Sequence, residues 1–99
     1  MEVRFADDDL ARLETDEEYG KGRDQAVVRA FRRRMQQIRA APNERTFYQL
    51  KSLRFEKLKK GDRVGQHSMR LNDQWRLILE FEGKGADKVA VIIAIEDYH

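Results

Sequence analysis

Apolar residues recur at helical spacing in the first half of this chain and at strand spacing in the second. Between Arg23 and Ala41, the residues Val27, Phe31, Met35 and Ile38 lie four, four and three positions apart. That spacing puts them on one face of an amphipathic helix and assigns the stripe to the core. Arg29, Arg32, Arg33, Gln36, Gln37 and Arg39 cover the rest of its circumference, and Pro42 stops it. Ahead of it, Asp7-Asp8-Asp9 supply an N-cap and acidic first-turn residues for a helix carrying Leu10 and Leu13. Met1–Phe5 alternates weakly and predicts a short strand. Thr15 to Gly22 reads as a loop with Gly20 and Gly22 as breakers, and Asn43 is placed to cap a short turn carrying Phe47 and Leu50.

After residue 53 the period changes. Arg54–Leu58, Gln66–Leu71, Trp75–Phe81 and Lys88–Ile95 are rich in β-branched, aromatic and long apolar residues and predict strands. Gly61-Asp62, Asn72-Asp73 and Gly83-Lys84-Gly85 separate them, and connections this short imply antiparallel neighbours. The order of strand, two helices and meander predicts an α+β fold, with the helices packed on a small, mainly antiparallel sheet. At 99 residues the expectation is one domain, 1–99.

One segment permits a register argument. With Asn72-Asp73-Gln74 as a three-residue turn, Leu71 faces Trp75, Arg70 faces Arg76, Met69 faces Leu77 and Ser68 faces Ile78. Alternation then sends Met69, Leu71, Trp75, Leu77 and Leu79 to the core and gathers Ser68, Arg70 and Arg76 on the other face. Arginines directly opposite each other repel. Water screens them, with Glu80 as a nearby counter-charge, or an anion bridges them, since planar guanidinium groups suit phosphate oxygens. Lys57, Lys59, Lys60 and Arg63 precede this hairpin and belong by expectation to the same surface. His67 alternates onto the core face, where a lone histidine needs no ligand role.

Charge sharpens this picture. Residues 1–20 hold two basic and eight acidic side chains, a net −6; residues 21–60 hold thirteen and three, a net +10; residues 61–99 hold five and seven, a net −2. A basic middle fits a polyanion, most often nucleic acid, or a solvated helix face. The same two readings apply to Arg32-Arg33-Arg34, which either touches a nucleic acid or faces solvent. There is no cysteine, no basic-then-apolar leader, and the apolar run Val89–Ile95 is too short to cross a bilayer, so the expectation is a cytoplasmic protein without membrane contact. Two isolated histidines make no transition-metal site. Asp7-Asp8-Asp9 and Glu17-Glu18 read as caps and loop solvation, so neither metal nor other cofactor is expected.

The run Lys60-Gly61-Asp62-Arg63-Val64-Gly65-Gln66-His67-Ser68-Met69-Arg70-Leu71-Asn72-Asp73-Gln74-Trp75-Arg76, followed at the end by Asp97-Tyr98-His99, resembles HigB-type toxins of the RelE/ParE superfamily. Those toxins share the block K-G-D-R-x-G-x-W-S-I-R-V-N-x-Q-W/Y-R and commonly end in D-Y-H. The resemblance is strong over about the last 50 residues; the helical half agrees in layout. It implies a RelE-like fold and a ribosome-dependent mRNA endoribonuclease that inhibits translation. It also implies a cognate HigA-like helix-turn-helix antitoxin through which alone operator DNA is reached. By the same resemblance His99 and Lys60 match proton-transfer positions, Arg76 the phosphate-stabilising arginine, Asp97 and Tyr98 terminal residues of the site, and Arg63 and Arg70 basic positions near the RNA. Lys57, Lys59 and Ser68 join them as candidate RNA contacts. His67 stands where the family commonly has Trp or Tyr, Met69 where Ile is usual, and Lys57 near a position that is often His.

Metal-independent cleavage of this kind needs a base for the 2′-OH, a cation for the phosphorane and an acid for the leaving 5′-oxygen. It spares DNA, which lacks the 2′-OH. His99, with an ordinary pKa of about 6.5, suits either proton step. Lys60 serves as base only if its pKa is lowered, which Arg63 and Arg76 nearby would favour. Arg76 keeps its proton and stabilises charge. An extended last strand puts Asp97 and His99 on one face and Tyr98 on the other, so that Asp97 orients the imidazole, and the α-carboxylate beside His99 favours imidazolium. Two other classes stay open: a toxin of the same fold acting on a protein such as gyrase, and a noncatalytic basic RNA- or DNA-binding module.

Overall fold

A computed structural model describes residues 1–20 and 22–97. The chain runs β1 (Glu2–Phe5), α1 (Asp8–Thr15), α2 (Gln25–Ala40), α3 (Arg45–Gln49), β2 (Glu56–Lys57), β3 (Gln66–Arg70), β4 (Trp75–Glu82) and β5 (Val89–Asp97). The five strands form one sheet in the order β1-β5-β4-β3-β2. β1 is parallel to β5 and every other neighbour is antiparallel. This is the α+β architecture that the spacing of apolar residues predicts.

The helices begin where side chains satisfy their first amides. Asp7 Oδ1 accepts from Leu10 N at 3.1 Å, and Asp24 Oδ1 accepts from Ala26 N at 2.9 Å. Asp24, absent from the sequence-based expectation, starts α2 two residues later than predicted. Ala41 and Pro42 end it, because proline has no amide to continue the ladder. Asn43 Oδ1 accepts from Arg45 N at 3.0 Å and opens α3. Gly20 links the first two helices with φ +88, a conformation that favours glycine, and a Cβ there would stand 2.6 Å from Leu13 Cδ1 and displace that side chain.

Leu10 and Leu13 of α1 and Val27, Phe31, Met35 and Ile38 of α2 are buried against Met69, Leu77, Leu79, Ala90 and Ile92 of the sheet. Each such large side chain stabilises the fold by roughly 1.5–3 kcal/mol on burial. The predicted helix stripe and hairpin face are thus the two halves of the core. Ile78 and Val91 are buried on the other face of the sheet, apart from that cluster.

The hairpin register follows the sequence-based expectation: Ser68 opposes Ile78, Met69 opposes Leu77 and Arg70 opposes Arg76. Its turn is closed by Leu71 N donating to Trp75 O at 2.9 Å and by Asn72 Oδ1 accepting from the amides of Gln74 and Trp75. The next pair is less regular. Ile92 opposes Leu79 and Ala94 opposes Ile78, so Ile93 is an extra residue, a β-bulge. Beyond it Ile95 opposes Leu77, Glu96 opposes Arg76 and Asp97 opposes Trp75. The predicted strand Arg54–Leu58 contracts to Glu56–Lys57, because Arg54 adopts a left-handed conformation (φ 45, ψ 47) that no strand accommodates.

Candidate active site

Arg76 lies on the sheet face that turns away from the helices, and its side chain is buried. Its Nη2 donates to Ser68 Oγ at 2.8 Å, to the carbonyl of Arg54 at 2.9 Å and to Glu56 Oε1 at 3.3 Å. One nitrogen with two hydrogens serves three acceptors, so the longest contact, to Glu56, is the weakest. The left-handed backbone of Arg54 aims its carbonyl at this guanidinium. A non-glycine residue held at positive φ beside a buried charge marks a place where local strain is offset by surrounding contacts.

Around Arg76 a cleft of about 320 Å³ is lined by Glu56, Leu58, Arg63, Ser68, Ile78, Glu96 and Asp97. One wall is the edge strand β2 and the turn Gly61–Arg63; the other is the last residues of β5. Arg63 forms an ion pair with Glu96 across this space. Asp97 sits at the rim, and its Oδ2 accepts from Gln74 Nε2 at 3.1 Å. Glu56, Leu58 and Arg63 are shared with an adjoining groove that Lys57, Lys59 and Lys60 complete.

Of the residues singled out from the sequence, Arg63, Ser68, Arg76 and Asp97 meet in the cleft. Lys57, Lys59 and Lys60 line the neighbouring groove and are exposed. Arg70 stands opposite Arg76 but turns to Asp73, whose carboxylate accepts from its Nη2 at 2.6 Å. That hydrogen bond holds the Asp73 carboxyl below its ordinary range. Tyr98 and His99 lie outside the described residues. The counter-charges of the facing arginines are Asp73 and Glu56; Glu80, the partner considered from the sequence, instead accepts from Gln66 Nε2 at 3.4 Å. Among the described residues no three His, Cys, Asp or Glu side chains come together as metal ligands.

Sequence reasoning missed Glu56 and Glu96. The signal for Glu56 was available: with Ser68 assigned to the arginine face, the residue opposite it on a preceding strand shares that face. Nothing in the apolar run of β5 marked the bulge that brings Glu96 opposite Arg76.

The other basic features separate into structural and exposed groups. Arg32 donates to the carbonyls of Leu13 and Asp16 and closes the end of α1. Arg34 is buried and donates to the carbonyl of Arg70 at 2.8 Å. Burial pulls its guanidinium below the ordinary value, and repulsion from Arg33 and Arg70 adds to this. His67 is buried on the core face as expected, stacked on Phe55 at 5.1 Å and edge-on to Phe81 at 5.1 Å. No helix among the described residues is long and apolar enough to cross a membrane.

A search of curated proteins finds no match to this sequence. Among solved structures, a YoeB/ParE toxin from Agrobacterium tumefaciens superposes over 100% of both chains with a TM-score of 0.61 at 19% identity, a likeness of fold. The family model described as the RelE-like toxin of type II toxin–antitoxin system HigB matches residues 3–99. With the cleft built from the very block that resembles these toxins, and the match spanning nearly the whole sequence, the chain belongs to the HigB-like family of RelE-like toxins.

Proposed function

We propose that this toxin is a ribosome-dependent mRNA endoribonuclease that cleaves by attack of the substrate's own 2′-OH, without a metal. The observation that carries the reading is the position of Arg76: a permanently charged guanidinium at the base of a cleft, tethered by Ser68 and the Arg54 carbonyl, with Arg63 on one wall and Asp97 on the rim. A cation fixed before the substrate arrives stabilises a phosphorane without reorganisation, the condition under which such a group contributes most.

In the reaction the 2′-oxygen bonds to phosphorus as its proton leaves to a base, and the P–O5′ bond breaks as an acid supplies a proton to O5′. The products are a 2′,3′-cyclic phosphate and a 5′-hydroxyl. Arg76 bears the charge of the crowded phosphorane. His99 and Lys60 are the proposed proton-transfer groups, with Asp97 and Tyr98 positioning the end of the chain. Glu56, in contact with both Arg76 and Ser68, is a further carboxylate for the proton removed from the 2′-OH. Arg63, Arg70, Lys57, Lys59 and Ser68 are the proposed RNA contacts, and the groove holding Lys57, Lys59 and Lys60 offers the strand a continuous cationic approach. Orientation by the ribosome supplies much of the barrier reduction for so sparse a set of groups. A HigA-like helix-turn-helix antitoxin is the proposed partner that silences the toxin and carries it to operator DNA.

The test is to express wild type, Arg76→Ala and His99→Ala in cells and map mRNA 5′ ends. Codon-phased cuts are expected in wild type. In Arg76→Ala, cleavage is expected to fall on the order of 10²–10³-fold, the effect of removing one preorganised charge-stabilising donor. Growth arrest with intact mRNA and altered DNA supercoiling would replace this reading with action on gyrase. Salt-sensitive RNA binding with neither arrest nor cuts would replace it with a noncatalytic module.

A further inference from the structure

Glu96 is an oddity for a site that holds phosphate. It stands directly opposite Arg76, on the same face of the sheet, with its carboxylate in the cleft. An unbulged β5 would present Ile95 to Arg76 and turn Glu96 to the core side; the extra residue Ile93 exchanges the two. Bulges beside functional sites re-aim side chains in this way. What this one places in the cleft is an anion, paired with Arg63.

Arg63 is carried by the turn Gly61–Arg63, flanked by Gly61 at φ +57 and Gly65 at φ +94, both with open space where a Cβ would be. The ion pair to Glu96 joins this turn to β5 across the cleft. Carboxylate and phosphodiester oxygens compete for the same guanidinium fork. Both partners are partly solvated, with side-chain exposures of 42% and 35%, so the pair is worth no more than about 1 kcal/mol. A phosphodiester can displace such a contact, yet its cost is felt.

We propose that Glu96 is a specificity-determining residue, an internal stand-in for phosphate that occupies Arg63 until RNA displaces it and so selects against RNA that is not already held in place. The proposal rests on the ribonuclease reading of the same cleft. Its selectivity comes from saturation. A strand presented at high effective concentration fills the site despite a severalfold weaker intrinsic affinity, whereas dilute free RNA loses occupancy in full proportion.

The probe is a short 2′-O-methyl RNA, which has no nucleophile and stays intact, titrated by fluorescence anisotropy at fixed ionic strength. Wild type, Glu96→Gln, Arg63→Ala and the double variant are compared. Glu96→Gln is expected to bind about fivefold more tightly than wild type, the equivalent of an exposed ion pair. In the Arg63→Ala background the same substitution is expected to change affinity little, because the coupling runs through that pair. Equal or weaker binding by Glu96→Gln, absence of measurable binding by both, or the same gain with and without Arg63 overturns the proposal; the last would mean a general charge effect. Cleavage on programmed ribosomes, measured with wild type, judges the ribonuclease reading separately. If wild type cuts and the binding cycle shows no coupling, the stand-in role falls alone. If the coupling holds and nothing is cut, the ribonuclease reading falls and Glu96 still governs access of RNA to Arg63.

Discussion

The two strand pairs that flank β4 are built on different rules. On one side, β3 and β4 keep strict register from Gln66↔Glu80 to Arg70↔Arg76, closed by a turn whose Asn72 side chain holds two amides. On the other, β5 carries one residue more than β4 has partners for. The β3–β4 pair is pinned by alternation: His67, Met69, Leu77 and Leu79 face the core while Gln66, Ser68, Arg70 and Arg76 lie on the opposite face, so a one-residue slip would bury charge. The apolar run in β5 has no such penalty, because isoleucine, alanine and valine are tolerated on either face. Register there is set by where the polar end must go. The difference shows how a fold can hold one wall of a site rigidly while leaving the other free to accept an inserted residue that re-aims a charge.

Single-residue deletions give the largest separation between the two pairs. Removing Ser68 throws half of β3 onto the wrong face, and no cooperative unfolding transition is expected by calorimetry or denaturant titration. Removing Ile93 leaves Ala94 opposite Ile78 and the pairs beyond it unchanged; the variant is expected to fold, losing roughly 1–2 kcal/mol with the half-buried side chain. Comparable loss in both variants would mean that the bulge is as firmly specified as the hairpin.

What the sequence revealed divides along the same line. The α2 stripe, the hairpin register, the cleft face bearing Ser68 and Arg76 and the core placement of His67 were all legible, since each rests on polar and apolar residues that mark opposite sides. The bulge at Ile93 was not, since seven consecutive apolar residues from Val89 to Ile95 carry no phase. For the same reason Glu96 went unnoticed; Asp97, which opposes Trp75, still reaches the rim of the cleft. The arginine run also misled. Neither a solvated face nor an RNA patch describes Arg32, which caps α1, or Arg34, which is buried under the hairpin; of the three, only Arg33 is exposed. Charge runs report composition, whereas capping and burial depend on tertiary neighbours that periodicity does not supply. The pairing of β1 with β5 was likewise beyond reach, because a parallel partner far along the chain leaves no local trace.

Truncation within one cross-strand pair sharpens the contrast at smaller scale. Leu77 of β4 opposes Ile95 of β5. Leu77 is wholly buried and Ile95 only partly, although both point to the helices. Leu77→Ala is expected to cost about 3 kcal/mol, loss of transfer energy plus a cavity. Ile95→Ala is expected to cost about 1 kcal/mol, since solvent and the adaptable end of β5 absorb the change. Chemical denaturation with unchanged m-values would establish both, and equal costs would show the end of β5 to be as tightly packed as the hairpin.

The smallest expected effect depends on pH and tests how far the rigid wall extends. His67 lies on β3 between Phe55 and Phe81, and its Nδ1 is buried with no hydrogen-bond partner among the described residues. Burial pushes its pKa below the ordinary 6.5; the charge of Glu44, just ahead of α3, opposes this, while Lys57 and Lys88 reinforce it. Folding therefore favours the neutral ring. Above the unfolded value of about 6.5 neither state is protonated and there is no penalty. As pH falls through that value the unfolded chain binds a proton that the folded protein resists, and stability declines until the folded value is passed. One proton limits the slope to about 1.4 kcal/mol per pH unit. His67→Phe keeps a ring between the two phenylalanines and removes the proton, so its stability between pH 7.5 and 5.5 is expected to be flatter than that of wild type. Subtracting the two curves cancels titration elsewhere in the chain. Parallel curves would mean that the ring gains a proton without resistance, which requires the aromatic stack to open and the ordered register of β3 to loosen at the very strand that carries Ser68 into the cleft.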